Sequence, residues 1–440
     1  MHGNPTSTST KRQRIAELAK QRPEIAFTSL NHLLDLDLLR EAFLRTPKDK
    51  APGVDGQTYA EYGAHLEENL QSLLQRVKSG TYYAPSVRRV YVPKGTGKET
   101  RPIGIPTLED KVLQRAVVLL LQPLYVPLFA ESSYGFRPGR SAHQALESLR
   151  EQLMATMGGW VLDVDVRKFF DTLDHGHLRE LLRHRVRDGV LLRLIDKWLN
   201  AGVLEDGEIF FPDEGTPQGG VISPLLANIY LHYVLDMWLE QAVKPRLRGR
   251  VFSIRYADDF VLGFTCEADA RRLLELLPKR FVKHGLTIHP DKTHLLRFRP
   301  GWGRPGGRDA HAKASFDFLG FTHYWGLSRQ GRWVIKRKTA SNRFTRAIKK
   351  ISAWCRTHRH DPVAEQHATL SSKLRGHFTY YGITGNSHAL SAFRHFVARV
   401  WKNWLSRRNR ERRWSWLDHA RMLQRYPLPP ATPVHSVYLA

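Results

Sequence analysis

The sequence predicts an α+β protein in which a mixed helix-and-strand region, residues 26–330, precedes a basic helical region, residues 331–440. Three observations carry that prediction. Short runs rich in β-branched and aromatic residues, such as 87–93, 160–166 and 251–264, are patterned as strands. Longer stretches between them, such as 66–77 and 110–121, repeat apolar residues at helical spacing. Beyond residue 331 the composition shifts to 22 Lys+Arg against 4 Asp+Glu, with apolar residues again three and four apart.

A chain of 440 residues with 42% hydrophobic residues is long enough and apolar enough for two or three packed cores. Its 68 Lys+Arg outnumber 42 Asp+Glu, a formal charge of +26, of which +18 lies in residues 331–440. So basic a protein implies a polyanionic partner, nucleic acid above all. The two cysteines, Cys266 and Cys355, exclude a disulfide framework and a Cys-rich zinc site, and imply a reducing cytoplasm. No run of 18 apolar residues occurs, so neither a membrane span nor a secretory leader is expected.

In chain order, residues 1–25 are polar and basic and read as a mobile segment. Leu30, Leu33, Leu34, Leu38 and Leu39 open the first helix, and Leu66, Leu70, Leu73 and Val77 mark another. Residues 87–93 and 100–105 form a hairpin whose tip carries Lys94, Lys98 and Arg101. Such cations suit a triphosphate clamp, or else guard an exposed sheet edge. Helices are expected at 110–121, 142–154, 175–186, 189–200, 225–239 and 268–284. The Gly-rich turn at 215–220 lets backbone approach a ligand, but its spacing excludes an ordinary P-loop nucleotidase.

Two places concentrate carboxylates. On the strand at 160–166, Asp163 and Asp165 share one face while Leu162, Val164 and Val166 take the other. At 251–264, Ala257-Asp258-Asp259 interrupts two apolar runs and predicts a tight hairpin turn. Adjacent carboxylates repel, and a divalent cation such as Mg²⁺ would relieve the repulsion; a solvated turn is the plainer alternative. In the basic region, Phe344, Ala347, Ile348, Ile351 and Cys355 form an apolar stripe opposite Arg343, Arg346 and Lys350. Near-absent counter-charges point to nucleic-acid contact, and the tryptophans there to helix packing.

The chain carries an ordered series of blocks: Ala51-Pro52-Gly53-Val54-Asp55-Gly56, Arg101-Pro102-Ile103-Gly104-Ile105-Pro106, Ser133-Tyr134-Gly135-Phe136-Arg137-Pro138, the segment 165–171, Thr216-Pro217-Gln218-Gly219-Gly220, Tyr256-Ala257-Asp258-Asp259, Gly285-Leu286 with Lys292-Thr293, and Phe318-Leu319-Gly320-Phe321. In this order they resemble the reverse transcriptases encoded by bacterial group II introns. Leu374-Arg375-Gly376 with Tyr380-Tyr381-Gly382 resembles the maturase, or thumb, region of that family. The paired Cys-x-x-Cys of the family's frequent C-terminal endonuclease does not occur, so the expectation is the form without that domain.

The resemblance implies a right-hand polymerase, with fingers and palm around an antiparallel sheet over 26–330 and an all-helical thumb/maturase domain over 331–440. It implies RNA-directed DNA synthesis with Asp165, Asp258 and Asp259 as catalytic residues; Asp163 is the rival to Asp165. Two Mg²⁺ ions, or Mn²⁺ in their place, would be held by Asp165, Val166, Asp258 and Asp259. Lys94 and Arg101 would grip the incoming triphosphate, and Gln218 would line the nucleotide pocket. Phe170 would exclude a ribose 2′-hydroxyl, and Lys292 would act as acid or charge partner, or be a plain surface lysine. Arg343, Arg346, Lys350, Arg375, Arg407 and Arg408 are the expected nucleic-acid contacts. The implied partners are deoxynucleoside triphosphates, a primed RNA template, structured intron RNA and target DNA, for a monomer or homodimer. The alternatives are a domesticated relative in phage defence, CRISPR acquisition or sequence diversification, or an RNA-binding maturase that only assists splicing.

Overall fold

The computed structural model describes residues 6–93, 100–205, 207–211, 215, 219–300, 314–408 and 415–435. The chain divides into two compact units, residues 1–297 and 298–440. That division falls short of the compositional shift near 331, because the strands around 315–339 pack with the helices that follow them.

The first unit begins with helices α1 (Thr6–Gln21), α2 (Leu36–Leu44), α3 (Tyr59–Ala64) and α4 (Leu66–Ser79). Composition suggested a mobile start to the chain, and α1 corrects it. Ala19 is fully buried, and Arg12 meets Glu41 at 2.6 Å. The anchor is Arg185, buried, whose guanidinium donates to the carbonyls of Ala19, Arg22, Pro23 and Ile25. A contact so remote in sequence leaves no local signal.

The hairpin of β1 (Val87–Pro93) and β2 (Thr100–Ile105) follows as expected. Helices α5 (Leu108–Tyr125) and α6 (Ala142–Ala155), strand β3 (Gly159–Val164), and helices α7 (His175–Arg183) and α8 (Gly189–Leu199) come next. Thr107 caps α5 by accepting from the Asp110 backbone amide, and α5 is buried nearly all round, Asp110, Lys111 and Gln114 included, because the unit's core surrounds it. Strands β4 (Val203–Glu205) and β5 (Glu208–Phe210) complete a sheet of order β2-β1-β4-β5, in which β1 and β4 are parallel. Helix α9 (Ser223–Leu231) starts with Pro224 in its first turn, and the chain continues through π-helical turns at 232–236 and 239–243.

The second sheet contains β6 (Val251–Tyr256), β7 (Asp259–Phe264) and β8 (His294–Phe298), with helix α10 (Glu267–Val282) between β7 and β8 in sequence. Its order is β6-β7-β3-β8, and β7 runs antiparallel to both β6 and β3. Helix α10 covers it, with Phe281 stacked on Phe260 at 6.1 Å. Strand β7 is buried from Phe260 to Phe264, which leaves the strand ends to carry chemistry.

The second unit corrects the expectation of an all-helical region over 331–440 at its start, where residues 333–339 form a strand. It opens with a meander of β9 (Ser315–Phe318), β10 (Phe321–Leu327) and β11 (Trp333–Thr339), ordered β11-β10-β9. Leu319 and Gly320, both at positive φ, make the two-residue turn between β9 and β10. Strand β11 lies at the start of the basic stretch, where Lys336, Arg337 and Lys338 hid its strand pattern. Helices α11 (Ser341–Thr357), α12 (Val363–Tyr381), α13 (Ser387–Leu405) and α14 (Trp416–Arg425) follow around Ile351, Cys355, Leu374, Phe393, Val397 and Trp401. Trp401 is fully buried and donates to Gln366 at 2.8 Å, a packing role; Trp416 is exposed, with the Lys402 ammonium over its ring. Among the described residues no helix is long and apolar enough to cross a membrane.

Candidate active site

Strands β6 and β7 pair Tyr256 with Asp259, so only Ala257 and Asp258 form the turn and Asp259 is the first residue of β7. Ala257 takes φ of +59°, a left-handed conformation unfavourable for any residue but glycine. The surroundings hold it there. The Arg255 guanidinium, 1% exposed, donates to the Ala257 carbonyl and to Asn228 Oδ1, each at 3.0 Å. It also forks onto Asp236 with bonds of 2.9 and 2.5 Å. Asn228 in turn donates to the Gly135 carbonyl at 2.7 Å.

The block 133–138 explains itself at this point. Arg255 donates its amide to the Ser132 carbonyl and accepts from the Tyr134 amide, both at 2.8 Å, so the loop lies along the outer edge of β6. A Cβ on Gly135 would stand 2.3 Å from the Ala257 nitrogen, which only glycine avoids. Arg137 binds the carbonyls of Ala130 and Ser133 at 2.7 Å and sets the bend of the loop. Arg255, Asp236, Asn228 and Gly135 received no role from the sequence. The available signal was a lone Arg and a lone Asp inside apolar runs, 251–264 and 225–239, where an unpaired charge could not remain.

Asp165 follows the last residue of β3 and is anchored by its backbone. Its carbonyl accepts from the His289 amide at 2.8 Å, while the adjacent Val166 bridges to Ile288. Lys292 Nζ lies 3.2 Å from Asp165 Oδ2, both side chains about half exposed. Because β3 neighbours β7, Asp165 and the Asp258 turn reach the same end of the sheet. Together with Arg101, Val166, Phe170 and Lys292 they line a cavity of about 970 Å³. Asp163, opposite Val261 on β3, does not line it, nor does the exposed Asp259. Gly219 also lines the cavity, and a Cβ there would sit 2.3 Å from the Gly104 carbonyl oxygen, which ties the Gly-rich turn to β2. Lys94, Lys98 and Gln218 lie outside the described residues.

Burial raises the Asp258 carboxyl above the usual carboxylate range, and the Asp165 charge adds to the rise; Arg101 and Arg255 oppose it. A carboxylate so placed gains from a cation. The donor set of two aspartates suits Mg²⁺, which takes few protein oxygens and completes its shell with water and substrate phosphate. Among the described residues, no group of three or more His, Cys, Asp or Glu side chains assembles as a full protein cage.

The cations expected to meet nucleic acid lie in the second unit and divide into two kinds. Arg343, Lys350, Arg375 and Arg407 are exposed, and Arg346 is half-buried. Arg408 is half-buried, and its guanidinium donates to the carbonyls of Arg359 and Asp361, so that it ties the end of α13 to the loop before α12. The helix spacing that displayed the others could not show that these carbonyls needed a donor.

Comparison with known proteins agrees with this geometry. Residues 92–323 match the family described as reverse transcriptase (RNA-dependent DNA polymerase). The chain is 37% identical over 332 residues to the protein YkfC of Escherichia coli K12, covering 67% of this chain and 86% of that protein. It is 34% identical over 281 residues to the group II intron-encoded protein LtrA of Lactococcus lactis, covering 61% of this chain but only 46% of LtrA. A weaker match, 28% over 180 residues, is to the mitochondrial nuclear intron maturase 2 of Arabidopsis thaliana. With more than half its length matched, and the matched span containing Asp165 and Asp258 of the cavity, this chain belongs to the reverse transcriptase (RNA-dependent DNA polymerase) family.

Proposed function

We propose that the protein is an RNA-directed DNA polymerase, joining a deoxynucleotide to the 3′-hydroxyl of a primer on an RNA template. The observation that carries this reading is the convergence of Asp165 and Asp258, from β3 and the β6–β7 turn, on one cavity that also holds Arg101 and Phe170. Asp165 and Asp258, with Val166 beside them, would hold Mg²⁺; when bound, the ions supply a more acidic primer hydroxyl and neutralise charge at the phosphates. Asp259 serves as the supporting carboxylate.

Arg101 is placed to neutralise the triphosphate, with Lys94 and Gln218 as its proposed companions from outside the described residues. Lys292 offsets the charge of Asp165 and can turn its ammonium toward the leaving pyrophosphate. Phe170, braced edge-on by Phe169 at 5.3 Å, packs against the sugar and leaves no room for a 2′-hydroxyl. Residues 26–330 then act as fingers and palm, and the basic region 331–440 as the thumb that holds the template–primer by its phosphates.

The similarity to LtrA supports a further assignment: binding of structured intron RNA, assistance to splicing, and copying of the RNA after insertion into target DNA. Primer extension on an RNA template with Mg²⁺ and deoxynucleoside triphosphates tests the central claim. Full-length cDNA is the expected product. Tight RNA binding without extension would instead identify a splicing protein.

A further inference from the structure

Phe136 is a large aromatic residue left half exposed at the cavity. Its side chain is 50% exposed, its φ is +55°, and it lines the same cavity as Asp165 and Asp258. A large apolar residue in the left-handed region is unfavourable on two counts, backbone conformation and hydration. It persists because its neighbours are over-determined: Tyr134 and Gly135 are bound to Arg255 and Asn228, and Arg137 is held by the carbonyls of Ala130 and Ser133. The loop thus holds the Phe136 ring next to the turn that carries Asp258.

The order of elements at this end of the sheet says what the ring can meet. The loop containing Phe136 lies outside β6, Asp258 follows on the β6–β7 turn, Asp165 on β3, and Lys292 beyond it on the β8 flank. The middle and the Lys292 flank carry the charged groups that suit ions and phosphates. A phenyl ring serves neither. The part of a nucleotide substrate with a flat face that matches the ring is the base, on which an aromatic side chain stacks without regard to sequence.

We propose that Phe136 is a positioning residue for the nucleobase at the site of addition, stacking on it and setting its place relative to Asp258. The inference rests on the polymerase reading above. It differs from the role given to Phe170, since Phe170 meets the sugar and selects against ribose, whereas Phe136 meets the base and sets its position.

The test uses the full chain with a primed RNA template carrying 2-aminopurine either at the templating position or at the primer terminus. Fluorescence is read before triphosphate is added, and single-turnover addition afterwards. For Phe136→Ala the expected results are loss of the stacking-dependent fluorescence change at one of the two positions and an about tenfold rise in KM for the correct triphosphate. The maximal rate should change far less, and Phe136→Tyr should restore both readouts while Phe136→Leu does not. The labelled position that responds identifies the stacked base. Unchanged fluorescence and KM in Phe136→Ala, with the wild type extending normally, overturns the stacking role alone. A wild type that shows the Phe136-dependent fluorescence yet never extends a primer overturns the polymerase reading and leaves the base contact standing. Equal losses in Phe136→Ala, Phe136→Tyr and Phe136→Leu would show that the residue merely shapes the loop, and overturn the proposal.

Discussion

Gly135 and Ala257 lie in backbone contact: the missing Cβ of Gly135 would stand 2.3 Å from the Ala257 nitrogen and 2.9 Å from the Tyr256 carbonyl carbon. The loop 133–138 and the turn bearing Asp258 therefore move together or not at all. Gly135→Ala should displace the turn, since both facing atoms are backbone and cannot rotate aside. An overpacked contact of this kind costs about 1–3 kcal/mol. The expected outcome is a folded protein with a modestly lower melting temperature and at least a tenfold loss of primer extension. Thermal melting beside a single-turnover assay checks it; unaltered activity would show that the loop does not set the turn.

Asp258→Ala should abolish Mg²⁺-dependent cDNA synthesis while RNA affinity persists, because affinity comes mainly from phosphate contacts elsewhere. Filter binding and primer extension on the same preparation separate the two. Residual extension near the wild-type rate would remove Asp258 from the metal set.

Phe170→Val should admit ribonucleotides without loss of DNA synthesis, since the ring packs beside the cavity and valine vacates the space next to C2′. The ratio of deoxynucleotide to ribonucleotide incorporation should fall by tenfold or more. A constant ratio would show that some other group excludes the 2′-hydroxyl.

The second unit should lose stability in mild acid. Burial, with a smaller contribution from Arg337, lowers the His323 pKa to about 3, while the unfolded chain titrates near 6.5. The unfolded state thus binds more protons between these values, so stability is full above about pH 6.5 and falls as pH drops below it. One such group contributes a loss of roughly 1 kcal/mol between pH 6.5 and 5.5. Denaturant titrations at the two pH values check the slope, and His323→Phe, which retains the stack on Phe316, should flatten it.

Neutralising the exposed Arg343, Lys350, Arg375 and Arg407 should weaken RNA binding and flatten its salt dependence. Every cation withdrawn from a phosphate reduces the steepness of the log-affinity against log-salt line by roughly 0.7–0.9. Arg408→Ala should behave differently, lowering stability while leaving that slope in place, because its guanidinium binds two carbonyls. Equal slope changes for both would mean that Arg408 also meets phosphate.

Local pattern determined much of this protein from sequence alone. Apolar spacing set α4, α5, α6 and α10, and the alternation at 87–93 and 160–166 set β1 and β3, because burying one face imposes that face's period on the residues. The crowding of Asp258 and Asp259 in a turn marked the site, since charge so placed needs a partner. Residues 331–339 were misjudged because their cations broke the strand pattern, and residues 6–21 because Arg185, which holds that helix, is remote in sequence. Only the tertiary structure showed that Asp165 lines the cavity and Asp163 does not, that the Arg408 guanidinium is held by two carbonyls, and that Arg255, Asp236, Asn228 and Gly135 hold the turn. The physical reason is common to all three. Whether a polar group is free to meet a substrate depends on which donors and acceptors surround it, and those come from elements distant in the chain that local spacing does not register.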